Sequence, residues 1–183
     1  MEATGAFTSR IDISTQNGTL SVLRSSDNSG HQIGSWIRAG TTSHPIAQHN
    51  CWTDASWFFP ALSLLSQYSD PTLVFTDIGQ ELRNGASVEH VRVHRVVVNK
   101  TANMTALIAR LSTVDYYLDA STAVPVAMTF FDHPNTDALT NLAVEVDFSN
   151  FQLVGSRIVP FGITRLQNGS VQFQISITSA ALN

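Results

Sequence analysis

The sequence predicts a mainly β fold of the α+β kind, an antiparallel sheet of roughly eight to ten strands with two short helical segments. Three observations carry that prediction. The pairs Asn17-Gly18, Asn84-Gly85 and Asn168-Gly169 each separate two runs in which apolar and polar residues alternate, the strongest short-range hairpin pattern. Only two segments, one within Asp54 to Gln67 and one from Met104 to Leu111, switch to helical spacing. From Val114 onward one alternating run follows another, with Asp, Asn, Ser and Gly at the breaks.

Along the chain, Phe7 to Ser14 reads as a strand, and a tight Asn17-Gly18 turn sets Ile13 opposite Val22. Ser25 to Gly30 reads as a loop and Gln32 to Ile37 as a strand. In Asp54 to Gln67, Trp57, Ala61 and Leu64 repeat at helical spacing, as do Phe58, Leu62 and Leu65. Proline costs about 3 kcal/mol inside a helix but suits its first position, so a turn through Trp57-Phe58 and a helix from Pro60 are expected. A two-residue Asn84-Gly85 loop sets Arg83 opposite Ala86, which carries Ile78 to Val91, Thr76 to Val93 and Asp77 to Arg92. Met104, Leu107, Ile108 and Leu111 form a second amphipathic helix after an Asn103 cap. Tyr116 to Leu118 and Val124 to Phe131 are strands joined by the turn Asp119-Ala-Ser-Thr, and Asp132 to Asn135 is the next break. Leu142, Val144, Val146 and Phe148 alternate with polar or small residues up to a bend at Ser149-Asn150. In the last hairpin a three-residue loop, Gln167-Asn168-Gly169, pairs Ile163 with Phe173, Phe161 with Ile175 and Val159 with Ile177, whereas a two-residue loop mixes the faces.

At 183 residues and 43% hydrophobic content the chain suits one domain, 1–183, with a core of its own. Charged residues are 13%, about half of what is usual in soluble domains, and Ser, Thr, Asn and Gln supply the polar surface. That balance points outside the cytoplasm. Lys100 is the only lysine, the net charge is −4 and the arginines are scattered, so no stripe exists to neutralise nucleic-acid phosphates. Cys51 is alone, which excludes an internal disulfide. No apolar run approaches the ~20 residues of a membrane-spanning helix. The opening Met1 to Gly5 lacks the charged and apolar regions of a signal peptide, and a strand begins almost at once. A trimmed signal peptide upstream is therefore expected.

The segments Asp115-Tyr-Tyr-Leu-Asp-Ala-Ser-Thr-Ala-Val-Pro-Val, Val146-Asp-Phe-Ser-Asn-Phe-Gln-Leu-Val-Gly and Arg157-Ile-Val-Pro, with the hairpin Gly79-Gln-Glu-Leu-Arg-Asn-Gly-Ala, resemble extracytoplasmic lipoprotein-carrier proteins of the LolA/RseB type. The resemblance runs from about Leu73 to Asn183 and consists of hairpins and turn words. It implies a strongly curved antiparallel sheet, an unclosed half-barrel, whose concave face is covered by helices over a cavity for acyl chains. It also implies a periplasmic, or otherwise extracytoplasmic, location. The helix that usually precedes the first strand in that family is absent here, and the interior arginine of some carriers has no single counterpart.

Catalytic patterns are weaker. His90, Arg92 and His94 alternate on one strand face, but a third metal ligand is missing, and the expected register puts Asp77 beside Arg92 on a solvated outer surface. His49-Asn50-Cys51-Trp52 places a thiol near a histidine without any nucleophile signature around it. Gly-x-Ser-x-Gly, His-Glu-x-x-His and phosphate-binding glycine loops are absent. The expectation is a non-enzymatic protein without cofactor or metal. The aromatic cluster Trp52, Trp57, Phe58 and Phe59 is the most unusual local composition, and it serves either as packing between helix and sheet or as the rim of a lipid pocket. The candidate ligand-binding set is Trp52, Trp57, Phe58, Leu62, Leu65, Ile108, Phe148, Phe161 and Phe173. Its expected partner is a hydrophobic ligand or lipidated protein. The alternative is a solidly packed interaction module that binds an envelope protein through its edge or outer face.

Overall fold

The computed structural model describes residues 1–4, 8–16, 18–26, 32–52 and 57–182. Strands β1 (Glu2–Thr4), β2 (Thr8–Thr15), β3 (Gly18–Ser26), β4 (Gln32–Arg38) and β5 (His44–Pro45) form one antiparallel sheet in sequence order. A 3₁₀ turn (Gln48–Cys51) and helix α1 (Pro60–Gln67) follow. The second sheet is a seven-stranded meander of β6 (Leu73–Arg83), β7 (Ala86–Arg95), β8 (Val114–Asp119), β9 (Pro125–Asp132), β10 (Leu142–Val154), β11 (Arg157–Gln167) and β12 (Ser170–Ser176). Helix α2 (Ala102–Leu111) is inserted between β7 and β8.

The protein is thus mainly β with two short helices, as expected, but the single half-barrel sheet is replaced by two sheets, neither of them closed or strongly curled. The stretch holding the 3₁₀ turn and α1 intervenes between β5 and β6, and no ladder bonds join the two sheets among the described residues. Pro60 opens α1 at its first position. Thr101, rather than Asn103, caps α2: its Oγ1 accepts the Met104 N–H at 3.3 Å, so the helix begins at Ala102.

Val93, Val114, Tyr116, Met128, Phe130, Val144, Val146, Phe148 and Ile163 share one face of the seven-stranded sheet and form the core. Phe58 is buried among them, Trp57, Phe59 and Leu64 pack against them, and Ala3 and Ile11 reach them from the first sheet. Such a core stabilises by about 25 cal/mol per Å² of apolar surface removed from water. Met128 and Val146 are 0% exposed at its centre.

Three registers differ from expectation. In the first hairpin Thr15 pairs with Gly18, placing Ile13 opposite Leu20 and Ile11 opposite Val22, a shift of two that keeps the faces intact. Asn17 itself lies outside the described residues. The Asn84-Gly85 loop has the expected two residues and Arg83 faces Ala86, but Ile78 is extruded as a bulge between Asp77 and Gly79. Beyond it Asp77 faces Val91, Thr76 faces Arg92 and Phe75 faces Val93. The bulge has a local cause: Gly79 sits at φ 109°, in glycine's territory, and its N–H donates to Asp77 Oδ1 at 2.9 Å. The last loop is two residues long, not three, with Gln167 facing Ser170. A bulge beside Arg165/Leu166 then restores the apolar face, and Ile163 meets Ile175 instead of Phe173. The bend expected near Ser149-Asn150 takes the form of Asn150 at φ 50° within β10.

Candidate functional site

The expected ligand-binding residues divide into two groups. Phe58 and Phe148 lie in the buried core, with Trp57 packed on it. Trp57 meets Phe58 edge-on at 5.7 Å between ring centroids and lies 5.8 Å from Phe173. Arg165 stands on the same apolar face, its guanidinium carbon 5.6 Å from the Trp57 ring centre, and Nη2 donates to Asp132 Oδ2 at 2.5 Å. Cation, two rings and carboxylate form one packed unit. Phe161 is buried on β11, Leu62 is half-buried on α1, and the Leu65 side chain lies outside the described residues.

Trp52 and Ile108 are brought together elsewhere. They line a cavity of about 670 Å³ bounded by the 3₁₀ turn, α2 and residues 96–98 that follow β7. Its walls are chiefly Val96, Val97, Met104, Leu107 and Leu111, with Gln48, His49, Thr72, Arg95 and Lys100 as the polar contributors. That volume falls within the roughly 300–1,000 Å³ usual for small-molecule sites. The helical repeat of α2 and the run Val96-Val97-Val98 are the sequence patterns that point to it.

The cavity walls are positioned by short polar anchors. Ser112, at the end of α2, accepts the Arg95 N–H at 2.8 Å on its Oγ and donates to the Ile108 carbonyl at 2.7 Å, tying β7 to the helix. Arg95 donates through Nη1 to Asp70 Oδ2 at 3.1 Å and also to Thr72 Oγ1. Burial alone raises the Asp70 carboxyl, but bonds from Thr72 and Arg95 outweigh it and hold the group below its ordinary value. On the opposite wall, buried Asn50 donates to the His133 carbonyl at 2.7 Å and accepts its N–H at 2.9 Å, clamping the 3₁₀ turn to the end of β9. Gly34 lets β4 approach this turn, since a Cβ there would come within 2.9 Å of Ile46 and 3.2 Å of Cys51.

The catalytic patterns dissolve in the geometry. Cys51 is buried, with Sγ against the Ile46 and Ala47 carbonyls, and burial pushes its thiol up, the reverse of what an activated nucleophile needs. His49 Nε2 lies 2.9 Å from the Pro134 carbonyl and so carries the proton donated there. Among the described residues no group of three or more His, Cys, Asp or Glu side chains is placed to hold a metal ion. His90 and Arg92 share a face, as expected, but Arg92 pairs with Asp115 of β8 rather than with Asp77. The bulge at Ile78 moves Asp77 out of register with Arg92. His90 is 8% exposed instead of solvated: its ring lies 4.6 Å from Tyr117, Nε2 donates to Asp115 Oδ1 at 2.9 Å, and Glu81 stands 3.7 Å from Nδ1. On the same face Arg83, at the end of β6, stacks 4.3 Å over the Tyr117 ring and bonds Glu145 of β10.

No family model and no curated protein matches the chain. Among solved structures it is similar to a domain from Vibrio parahaemolyticus described as an outer membrane lipoprotein-sorting protein, with a TM-score of 0.46 and 13% identity over 92% of this chain and 76% of that one. It is similar to a LolA superfamily protein from Nitrosomonas europaea, with a TM-score of 0.40 and 10% identity over 96% of this chain and 87% of that one. A DUF1329 family protein from Desulfovibrio piger matches with a TM-score of 0.46 and 9% identity over 92% and 68% of the two chains.

Proposed function

We propose that this protein is a non-enzymatic, extracytoplasmic carrier or sensor that holds an acyl chain, a lipid or a lipidated protein in an apolar cavity. The observation that carries this reading is the cavity of about 670 Å³ beside α2, walled mainly by aliphatic side chains and Trp52. Burying an acyl chain there gains about 0.8 kcal/mol per methylene, and the site requires no catalytic group. The resemblance of Leu73 to Asn183 to lipoprotein carriers and the charge-poor composition support the extracytoplasmic placement. The candidate ligand-contacting residues are Trp52 and Ile108 from the expected set, joined by Val97 and Leu107. The test is titration of delipidated protein with a fluorescent fatty acid and a fluorescent lipopeptide. Saturable uptake is expected; its absence for both probes would remove the carrier reading.

One observation favours a second reading, a packed envelope-interaction module. Strand β6 is an edge of the seven-stranded sheet and exposes Phe75, Ile78 and Leu82, a surface suited to pairing with a partner's strand. Uptake of neither lipid probe, together with loss of partner capture in a Leu82→Lys variant, is the pattern that reading predicts.

A further inference from the structure

We propose that the cavity beside α2 selects an amphiphile with an anionic head, a carboxylate or a phosphate monoester, and that Lys100 holds that head at the cavity mouth. The inference rests on the carrier reading above and adds the chemistry of the head. It starts from charge. The chain has 14 carboxylate side chains and 10 cationic ones, yet among the described residues the cavity is lined by two cations, Arg95 and Lys100, and by no Asp or Glu. The two cations are not equivalent. Arg95 is held by Asp70 and Thr72, so its charge is already matched. Lys100 makes no ion pair among the described residues and is exposed.

Exposure gives the cavity a direction. Val98, Lys100 and Met104 are exposed and form the open end, whereas Ile108 and Leu111, at 5% and 3% exposure, form the closed end. An amphiphile therefore lies with its tail against Ile108 and its head beside the Lys100 ammonium, whose aliphatic stem extends the apolar wall while the charge stays in water. The protein's net charge of −4 repels anions at long range, so affinity for one has to arise from this local cation. An exposed ion pair of this kind is worth about fivefold in affinity.

Calorimetric titration of the delipidated chain with decanoate, decyl phosphate and decanol separates head from tail. Both anionic amphiphiles are expected to bind about fivefold tighter than decanol, with the difference shrinking at high salt. Lys100→Met brings decanoate to the affinity of decanol, and Lys100→Arg keeps the preference. Equal binding of all three by the wild type, or a preference untouched by Lys100→Met, overturns head selection while leaving the carrier reading standing. Displacement of decanoate by inorganic phosphate alone overturns it as well, because the site would then recognise a free anion. Failure of all three amphiphiles to bind overturns both readings.

Discussion

Asp115 on β8 is the carboxylate that holds two side chains of the neighbouring strand β7. Arg92 donates to both its oxygens, at 2.7 and 3.1 Å, and His90 adds a third bond at 2.9 Å. Burial alone raises this carboxyl, but the bonds from Arg92 and His90 outweigh it and leave it below its ordinary value of 3.8. A group depressed in the folded state stabilises the protein fully above its unfolded pKa, and that contribution is lost as pH falls through the folded value. Asp115→Asn is therefore expected to cost about 1–3 kcal/mol near neutral pH, measured by urea unfolding. The gap from wild type should narrow as pH falls below the ordinary carboxyl value of 3.8 and through the lower folded value, because protonation then removes the same charge from the native chain. Arg92 is nearly half exposed, and solvent screening keeps the expected cost at the lower end of that range. A gap that stays constant with pH would show that shape rather than charge is what the carboxylate supplies.

At the scale of elements, the β6–β7 hairpin shows how far a sequence can be read and where reading fails. Asn84-Gly85 specified the loop because both residues take positive φ, 51° and 82°, in the structure. The strand above it could not be registered by alternation alone, since an extruded Ile78 shifts every pair beyond Gly79 by one residue. The same limit shaped the last hairpin, where a bulge and a longer loop both restore the apolar faces and alternation cannot choose between them. Pro60 was decisive for α1 because its fixed φ favours the first turn, whereas the cap of α2 is Thr101 and the expected cap, Asn103, lies inside the helix's first turn. The cavity was legible only in part. Trp52 and Ile108 stand far apart in sequence and meet through the Asn50 and Ser112 anchors, which no local pattern announces. The bulge itself is testable. Gly79→Ala has room for its Cβ but must hold φ 109°, so it is expected to lose about 1–2 kcal/mol in thermal or urea unfolding. Wild-type stability in that variant would mean that the strand relaxes to the unbulged register, with Asp77 opposite Arg92.

For the whole molecule, the buried core around Met128 and the cavity beside α2 occupy different places, and stability and binding should therefore separate. Met128 is 0% exposed at the centre of the seven-stranded sheet and does not line the cavity. Met128→Ala removes buried volume where neighbours can collapse only partly, at an expected cost of about 2–5 kcal/mol. Measured well below its unfolding midpoint, that variant should bind fluorescent fatty acid with wild-type affinity. Leu107 is half-buried on α2 and faces empty space, so a larger ring there fills the cavity without overpacking the sheet. Leu107→Trp is expected to stay within about 1 kcal/mol of wild-type stability and to lose about tenfold or more in fatty-acid affinity, the equivalent of about two methylenes denied burial. The two variants form a crossed pair in which each carries the control for the other. Binding lost in Met128→Ala and kept in Leu107→Trp would relocate the ligand to the sheet face between Phe58 and Phe148.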